Sequence, residues 1–322
     1  MILVTGATSA VGKATIKELL ARKASVRAFV RKSVDAVKLQ AQGMEVFLGD
    51  MTKQANVAQA LQGIESVYLI TPVAEHLLDT EMLWAQECKK ASIHHLVKQS
   101  EIGADPQSFS PLLQIHGKAE SAIRASGVPY TILRTLFLMQ NFELMYAQPI
   151  ITQGVMYAPL ADMRMSYVDA RDIGAVAAHL LGEKKYQSKE YDVTGPEAIT
   201  CTQLAEIFSS LLHTPVRYVP ISDEEAEKVL LGLYSSWAAH AVTTLLQFYR
   251  QGGGNFVTSV VDEVTGHKPC TATAFISEHI QSFQATKENP CRCFDRASRG
   301  EGGPGLPLGT FLKKLFVLWL GQ

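Results

Sequence analysis

The segment Val4-Thr5-Gly6-Ala7-Thr8-Ser9-Ala10-Val11-Gly12 limits what this chain can fold into more than any other. It joins an apolar strand to an amphipathic helix at the very start of the sequence. A glycine directly after a strand permits a tight turn, and a glycine inside the next helix lets that helix lie close to the sheet. The amides freed at the helix N-terminus then form a cradle for a pyrophosphate, so Gly6, Thr8, Ser9, Ala10, Val11 and Gly12 are candidate dinucleotide-binding positions. A glycine motif alone is weak evidence, but this one heads a repeating array. Apolar strand-like runs at residues 2–5, 25–30, 45–48, 66–70, 95–99 and 130–133 alternate with helical spacings such as Val11, Ile16, Leu19 and Leu20. Short apolar strands separated by helices predict an α/β fold, a doubly wound parallel (Rossmann) sheet covered on both faces. A nucleotide-triphosphate loop is excluded, because five residues separate Gly6 from Gly12 and Ala14 follows Lys13.

After Arg134 the rhythm loosens. The pattern predicts a helix over 139–147, a strand over 154–158, a helix over 172–181 and a strand over 190–193. A helix ending near Leu212 follows, capped by Thr200 or Thr202. Residues 222–283 read as amphipathic helix broken at Gly252-Gly253-Gly254. The expected division is a cofactor domain over 1–150, with contributions from 166–195, and a smaller, mostly helical substrate or lid domain over 151–285. Residues 286–322, with Gly300, Gly302, Gly303, Pro304, Gly305 and Pro307, are expected to be a disordered tail ending in a short apolar segment.

Composition narrows the function. Thirty basic against thirty-one acidic side chains give a formal charge of -1, which does not fit direct nucleic-acid binding. Five scattered cysteines fit a reducing compartment, and Cys291-Arg-Cys293 lacks a second ligand pair at zinc spacing, so no metal site is expected. No apolar run is long enough to span a bilayer. With a strand at the start and no leader ahead of it, the reading is a cytoplasmic protein.

The second strand runs into Arg31-Lys32, where NAD-selective sites place an acid for the ribose hydroxyl and NADP sites place a cation for the 2′-phosphate. The expected cofactor is therefore NADP(H) in preference to NAD(H). Gly49-Asp50-Met51 ends the third strand, where Asp50 and Met51 would border the adenine. Thr71, Pro72 and Ser100, past the ends of the fourth and fifth strands, would border the nicotinamide, and Ser100 is also a candidate catalytic contact.

Taken together, residues 5–12, Val30-Arg31-Lys32, Gly49-Asp50 and Gly127-Val128-Pro129-Tyr130-Thr131-Ile132-Leu133-Arg134 resemble the NmrA-like family of atypical short-chain dehydrogenases. Ser166-Tyr167-Val168-Asp169-Ala170-Arg171-Asp172-Ile173 and Tyr191-Asp192-Val193-Thr194-Gly195 extend the likeness over roughly residues 1–285. The resemblance implies an NADPH-dependent reductase of quinones, azo or triphenylmethane dyes, or conjugated carbonyls. The alternative it leaves is a non-catalytic NADP(H) sensor that binds a protein partner. Two departures stand out. Ser9 occupies a position where the family usually has glycine, and none of the ten tyrosines has Lys four positions later. The missing Tyr–Lys pair argues against alcohol-dehydrogenase chemistry and against sugar-nucleotide epimerases.

His116 stands where the resemblance implies a catalytic group, and a histidine near neutral pKa would protonate a reduced product. Phe137, Asn141 and Phe142 follow the sixth strand and are candidates for lining an aromatic substrate pocket. Arg134, Asp169 and Arg171 are read as structural ion pairs beside buried strands. The expected ligand is a small molecule. Nothing in the sequence sets the oligomeric state.

Overall fold

The computed structural model describes residues 1–232 and 235–285. The expected tail over 286–322, Tyr234 and the Cys291–Cys293 pair lie outside the described residues. Strand β1 (Ile2–Val4) feeds helix α1 (Ala10–Ala21), then β2 (Val26–Val30), α2 (Ser33–Ala41), β3 (Glu45–Leu48) and α3 (Gln54–Ala60). The second half of the sheet follows as β4 (Ser66–Leu69), α4 (Leu77–Lys90), β5 (His95–Glu101), α5 (Pro111–Ser126) and β6 (Tyr130–Thr135). Then come α6 (Asn141–Gln153), β7 (Val155–Ala158), α7 (Ala170–Gly182), β8 (Lys189–Val193), α8 (Cys201–Leu212) and β9 (Arg217–Pro220). Helices α9 (Asp223–Leu231), α10 (Ser236–Phe248), α11 (Val260–Thr265) and α12 (Ala272–Glu278) complete the described chain.

The main sheet has seven parallel strands in the order β3-β2-β1-β4-β5-β6-β8. This is the doubly wound arrangement, and its order reverses between β1 and β4, where ligands of such sheets bind at the carboxyl edge. Helices cover both faces, so strand residues of either parity are apolar: Leu3 packs with Trp84 and Ile123 below, and Val4 packs with Ile16 and Val176 above. A right-handed crossover needs such cover to return a parallel strand to the same sheet.

Strands β7 and β9 form a separate parallel pair, Val155 opposite Arg217 through Ala158 opposite Pro220. With α6, α8, α10 and α12 they enclose a second core built on Phe142, Tyr146, Tyr167, Phe208 and Phe275. Capping boxes start α8 at Thr200, with Gln203, and α9 at Ser222, with Glu225. The break after α10 is a π-helical turn over Tyr249–Gly253, in which Gly252 takes φ +98. That turn brings the Tyr249 hydroxyl onto Glu101 at the end of β5, so the second lobe leans over the carboxyl edge of the sheet.

Candidate functional site

The glycine cradle stands at the switch point. Thr5 fastens β1 to the residue after β4, its hydroxyl donating to the Ile70 carbonyl at 2.9 Å and accepting from the Ile70 amide at 2.7 Å. The chain then turns through Gly6 with φ +56, where an added Cβ would meet Ile70 Cγ2 at 2.8 Å. Gly12 is more constrained still: a Cβ there would stand 2.2 Å from the Gly6 carbonyl oxygen, so the helix can approach the turn this closely only without a side chain.

Ser9 is the N-cap of α1. Its backbone, at φ -70 and ψ 165, is in the extended region open to any residue, and its hydroxyl oxygen accepts from the Gly12 amide at 3.0 Å. Glycine is therefore not required at this position, and serine supplies a cap in its place. The hydroxyl proton stays free to donate outward. The amides of Ala10 and Val11 bond no described residue. Two free N–H groups, one free hydroxyl and the positive end of a helix dipole are what a pyrophosphate requires, so these residues fit the dinucleotide.

At the adenosine end, Arg31 and Lys32 are exposed and neither side chain is ion-paired to a described residue. Asp50 accepts from the Thr52 amide at 2.9 Å and the Thr52 hydroxyl at 2.7 Å. These bonds, with Lys53 and Arg31 nearby, hold its carboxyl below the usual range. One oxygen is thus engaged and the other is left for a ligand. The Met51 carbonyl is pinned by the Trp84 indole N–H at 3.0 Å. Thr71 and Pro72 lie where the chain leaves β4, with Pro72 exposed and the Thr71 hydroxyl buried beside the Glu81 carboxylate.

The structure corrects the roles expected of four candidates, Ser100 and His116 in catalysis and Phe137 and Phe142 in the substrate pocket. Ser100 faces inward at 2% exposure and its hydroxyl donates to Glu120 at 2.7 Å, so it does not contact a ligand at the edge. Residues alternate across a strand, and the parity of β5 points Leu96, Lys98 and Ser100 toward α4 and α5. His116 is likewise packed under the sheet, its Nδ1 3.0 Å from the Lys98 ammonium. Burial, and then Lys98, push its pKa well below the ordinary histidine value, so it is not the near-neutral acid the sequence suggests. Phe142 has no exposed surface and packs edge-on against Tyr167, Phe208 and Phe275, while Phe137 packs edge-on against Tyr167. Both are core residues, buried among the other large apolar groups that fill the second lobe, among them Tyr146, Tyr167, Phe208 and Phe275.

Asn141 remains of interest: it begins α6 at the carboxyl edge, 3% exposed, with its amide nitrogen buried and unpartnered among the described residues. Such a donor costs free energy unless a ligand takes it up. Arg134 clamps Glu120 through two nitrogens at 2.9 and 2.6 Å and reaches Glu190 at 2.6 Å. Asp169 caps α7 and pairs with Arg171. Trp237 and Phe248 pack against the second core.

The sequence reading overlooked Lys98 and Glu81, which are wholly buried and ion-paired at 3.0 Å. A signal was available. In a strand covered on both faces, a lysine at any position must be buried, and a buried lysine needs an acid.

A seven-stranded parallel sheet with a glycine cradle at its switch point and free cations after β2 defines a dinucleotide-binding protein of the short-chain dehydrogenase type. The chain belongs to the NmrA-like family, whose model matches residues 1–268. It is 31% identical over 288 residues to the NAD(P)H azoreductase of Xenophilus azovorans, covering 88% of this chain and 100% of that protein. It superimposes on the NADPH-dependent quinone oxidoreductase of Escherichia coli, solved with NADPH, with TM-score 0.77 and 26% identity, covering 87% of this chain and 100% of the other. The Citrobacter sp. triphenylmethane reductase in complex with NADP(H) shares the fold at TM-score 0.76 and 23% identity, over 87% of this chain and 99% of that one. No helix among the described residues is long and apolar enough to cross a membrane.

Proposed function

We propose that this chain is an NADPH-dependent reductase that passes hydride to a small, flat, conjugated acceptor: a quinone, a dye or a conjugated carbonyl. The observation that carries the reading is its end-to-end relation to an NAD(P)H azoreductase at 31% identity. The cradle of Gly6, Ser9, Ala10, Val11 and Gly12 would hold the pyrophosphate. Arg31 and Lys32 would take the 2′-phosphate, which favours NADP(H) over NAD(H). Asp50 and Met51 would border the adenine, and Thr71 and Pro72 the nicotinamide.

In this reading residues 1–150 with 166–195 bind the cofactor, residues 151–285 cover the acceptor, and the protein works in the cytoplasm. When bound, the cofactor supplies the hydride, and the chain contributes orientation and the exclusion of water. Asn141 offers its unpartnered amide to an acceptor oxygen or nitrogen as negative charge develops there, the type of donor that hydride addition to a carbonyl or azo group calls for.

The test is a fluorescence titration with NADPH followed by a consumption assay over quinones, azo dyes and a triphenylmethane dye. Binding with turnover is the expected result. Binding without turnover on any acceptor would place the chain with the non-catalytic sensors, and absence of binding would refute the cofactor site.

A further inference from the structure

Lys98 lies in the middle of β5 with 0% exposure, an unusual place for a lysine. Its ammonium meets three acceptors: the Glu81 carboxylate of α4 at 3.0 Å, His116 Nδ1 of α5 at 3.0 Å and the Gln99 carbonyl at 3.0 Å. Glu81 is 0% exposed and His116 7%. Burying such a pair is a poor way to gain stability, because apolar residues of the same volume serve as well or better. The Glu81 carboxylate lies beside the Thr71 hydroxyl, one of the groups proposed to border the nicotinamide. The other charges around it are Glu101 on β5, Glu120 on α5 and Arg134 on β6, and Arg134 is already committed to Glu120.

The geometry fixes the protonation of the ring. An ammonium has only donors, so Nδ1 must accept, and the neutral imidazole carries its proton on Nε2. Nε2 makes no hydrogen bond to a described residue. The result is a hydrogen-bonded chain from an acid on α4, through a buried ammonium, to the Nε2 N–H of a largely buried histidine at the second turn of α5.

We propose that Glu81, Lys98 and His116 form a proton relay that completes the reduction of acceptors left as anions by hydride addition. The proposal rests on the reductase reading above. A quinone or azo group that gains hydride holds both electrons and lacks one proton. His116 gives its Nε2 proton to that anion, and as this N–H bond breaks a Lys98 proton moves to Nδ1. The ring stays neutral throughout and Lys98 is left as an amine, held in place by Glu81. Once product leaves, a solvent proton adds at Nε2 and the Nδ1 proton returns to Lys98. No electrons move beyond the hydride pair. The relay accounts for how a histidine that does not hold a second proton of its own can still act as a donor.

Acceptor chemistry provides the test. A cationic triphenylmethane dye becomes neutral leuco dye on taking hydride at its central carbon and needs no proton, whereas a quinone or azo dye does. In Lys98→Met, and in the charge-balanced pair Glu81→Gln with Lys98→Met, the ratio of quinone to dye-cation turnover should fall roughly 100-fold. Nitrogen-15 histidine NMR of the same proteins, without any acceptor, should show His116 fixed as the Nε2–H form in the native chain and mixed between tautomers in the double variant. If quinone and dye-cation turnover fall together, or neither falls, the relay is overturned and the cluster is structural. A native His116 that is not in the Nε2–H form overturns it as well. If the native protein reduces none of these acceptors while binding NADPH, the reductase reading itself fails and the relay fails with it.

Discussion

Ser9 shows how one side chain can meet two demands. It caps α1 through the Gly12 amide while keeping a proton for a ligand, in a backbone conformation that needs no glycine. Replacing it with alanine should cost about 1 kcal/mol in urea unfolding, and glycine only a few tenths, as for other N-caps. Equal losses for the two variants would show that the hydroxyl is not the cap. Gly12 allows no such exchange. Gly12→Ala puts a methyl group 2.2 Å from a carbonyl oxygen, and it should abolish measurable NADPH binding and destabilise the fold by about 1–3 kcal/mol. A variant that binds NADPH normally would mean that the turn is looser than described. The charge at Arg31 and Lys32 is read out by cofactor choice: neutralising both should weaken NADPH far more than NADH in parallel titrations, and equal weakening would remove them from the 2′-phosphate site.

Among the elements, β5 does most to join the parts of the molecule. One parity of its side chains carries Lys98 and Ser100 toward α4 and α5. At its end Glu101 receives the Tyr249 hydroxyl from the π-helical turn after α10. Burial raises the Glu101 pKa to about 8 from an ordinary 4.5, against the opposing effect of the tyrosine hydrogen bond. Between those values the folded protein holds a proton that the unfolded chain has released, so stability falls as pH rises from 4.5 to about 8 and levels off on either side. Asp172, raised to about 6 chiefly by burial, adds to the lower part of that fall. The contribution of Glu101 is therefore the difference between two curves: Glu101→Gln should flatten the decline of Tm with pH, most visibly above the Asp172 range. Parallel curves would mean that Glu101 is ionised in the folded state.

The alternation that predicts the six early strands was legible because each is apolar and each is followed by a helix of the right length. Strand β9 was not legible. Arg217-Tyr218-Val219-Pro220 is four residues long with a proline in it, and it is a strand only because β7 lies beside it across a long stretch of chain. The cradle could be read from spacing, since Gly6 and Gly12 answer to local geometry. The interior of the acceptor side could not, because whether Ser100, His116 or Phe142 faces in or out depends on how α5 and the second lobe pack on the sheet. Lys98 falls between these cases, legible in principle from its place in a doubly covered strand.

At the scale of the whole molecule, the parallel sheet presents the cradle, Thr71 and the start of α6 along one edge, and the second lobe leans over that edge from above. The second lobe has its own aromatic core, separate from the two cores that flank the sheet. In the proposed function this arrangement would place a flat acceptor against a nicotinamide away from water. The measurement that tests it most directly is transfer of label from NADPH deuterated at the hydride position of the nicotinamide to a cationic triphenylmethane dye. The expected product is leuco dye heavier by one mass unit, with the deuterium on its central carbon and a slower rate than with unlabelled cofactor. Leuco dye without deuterium, or NADPH bound and never consumed with any acceptor, would contradict it.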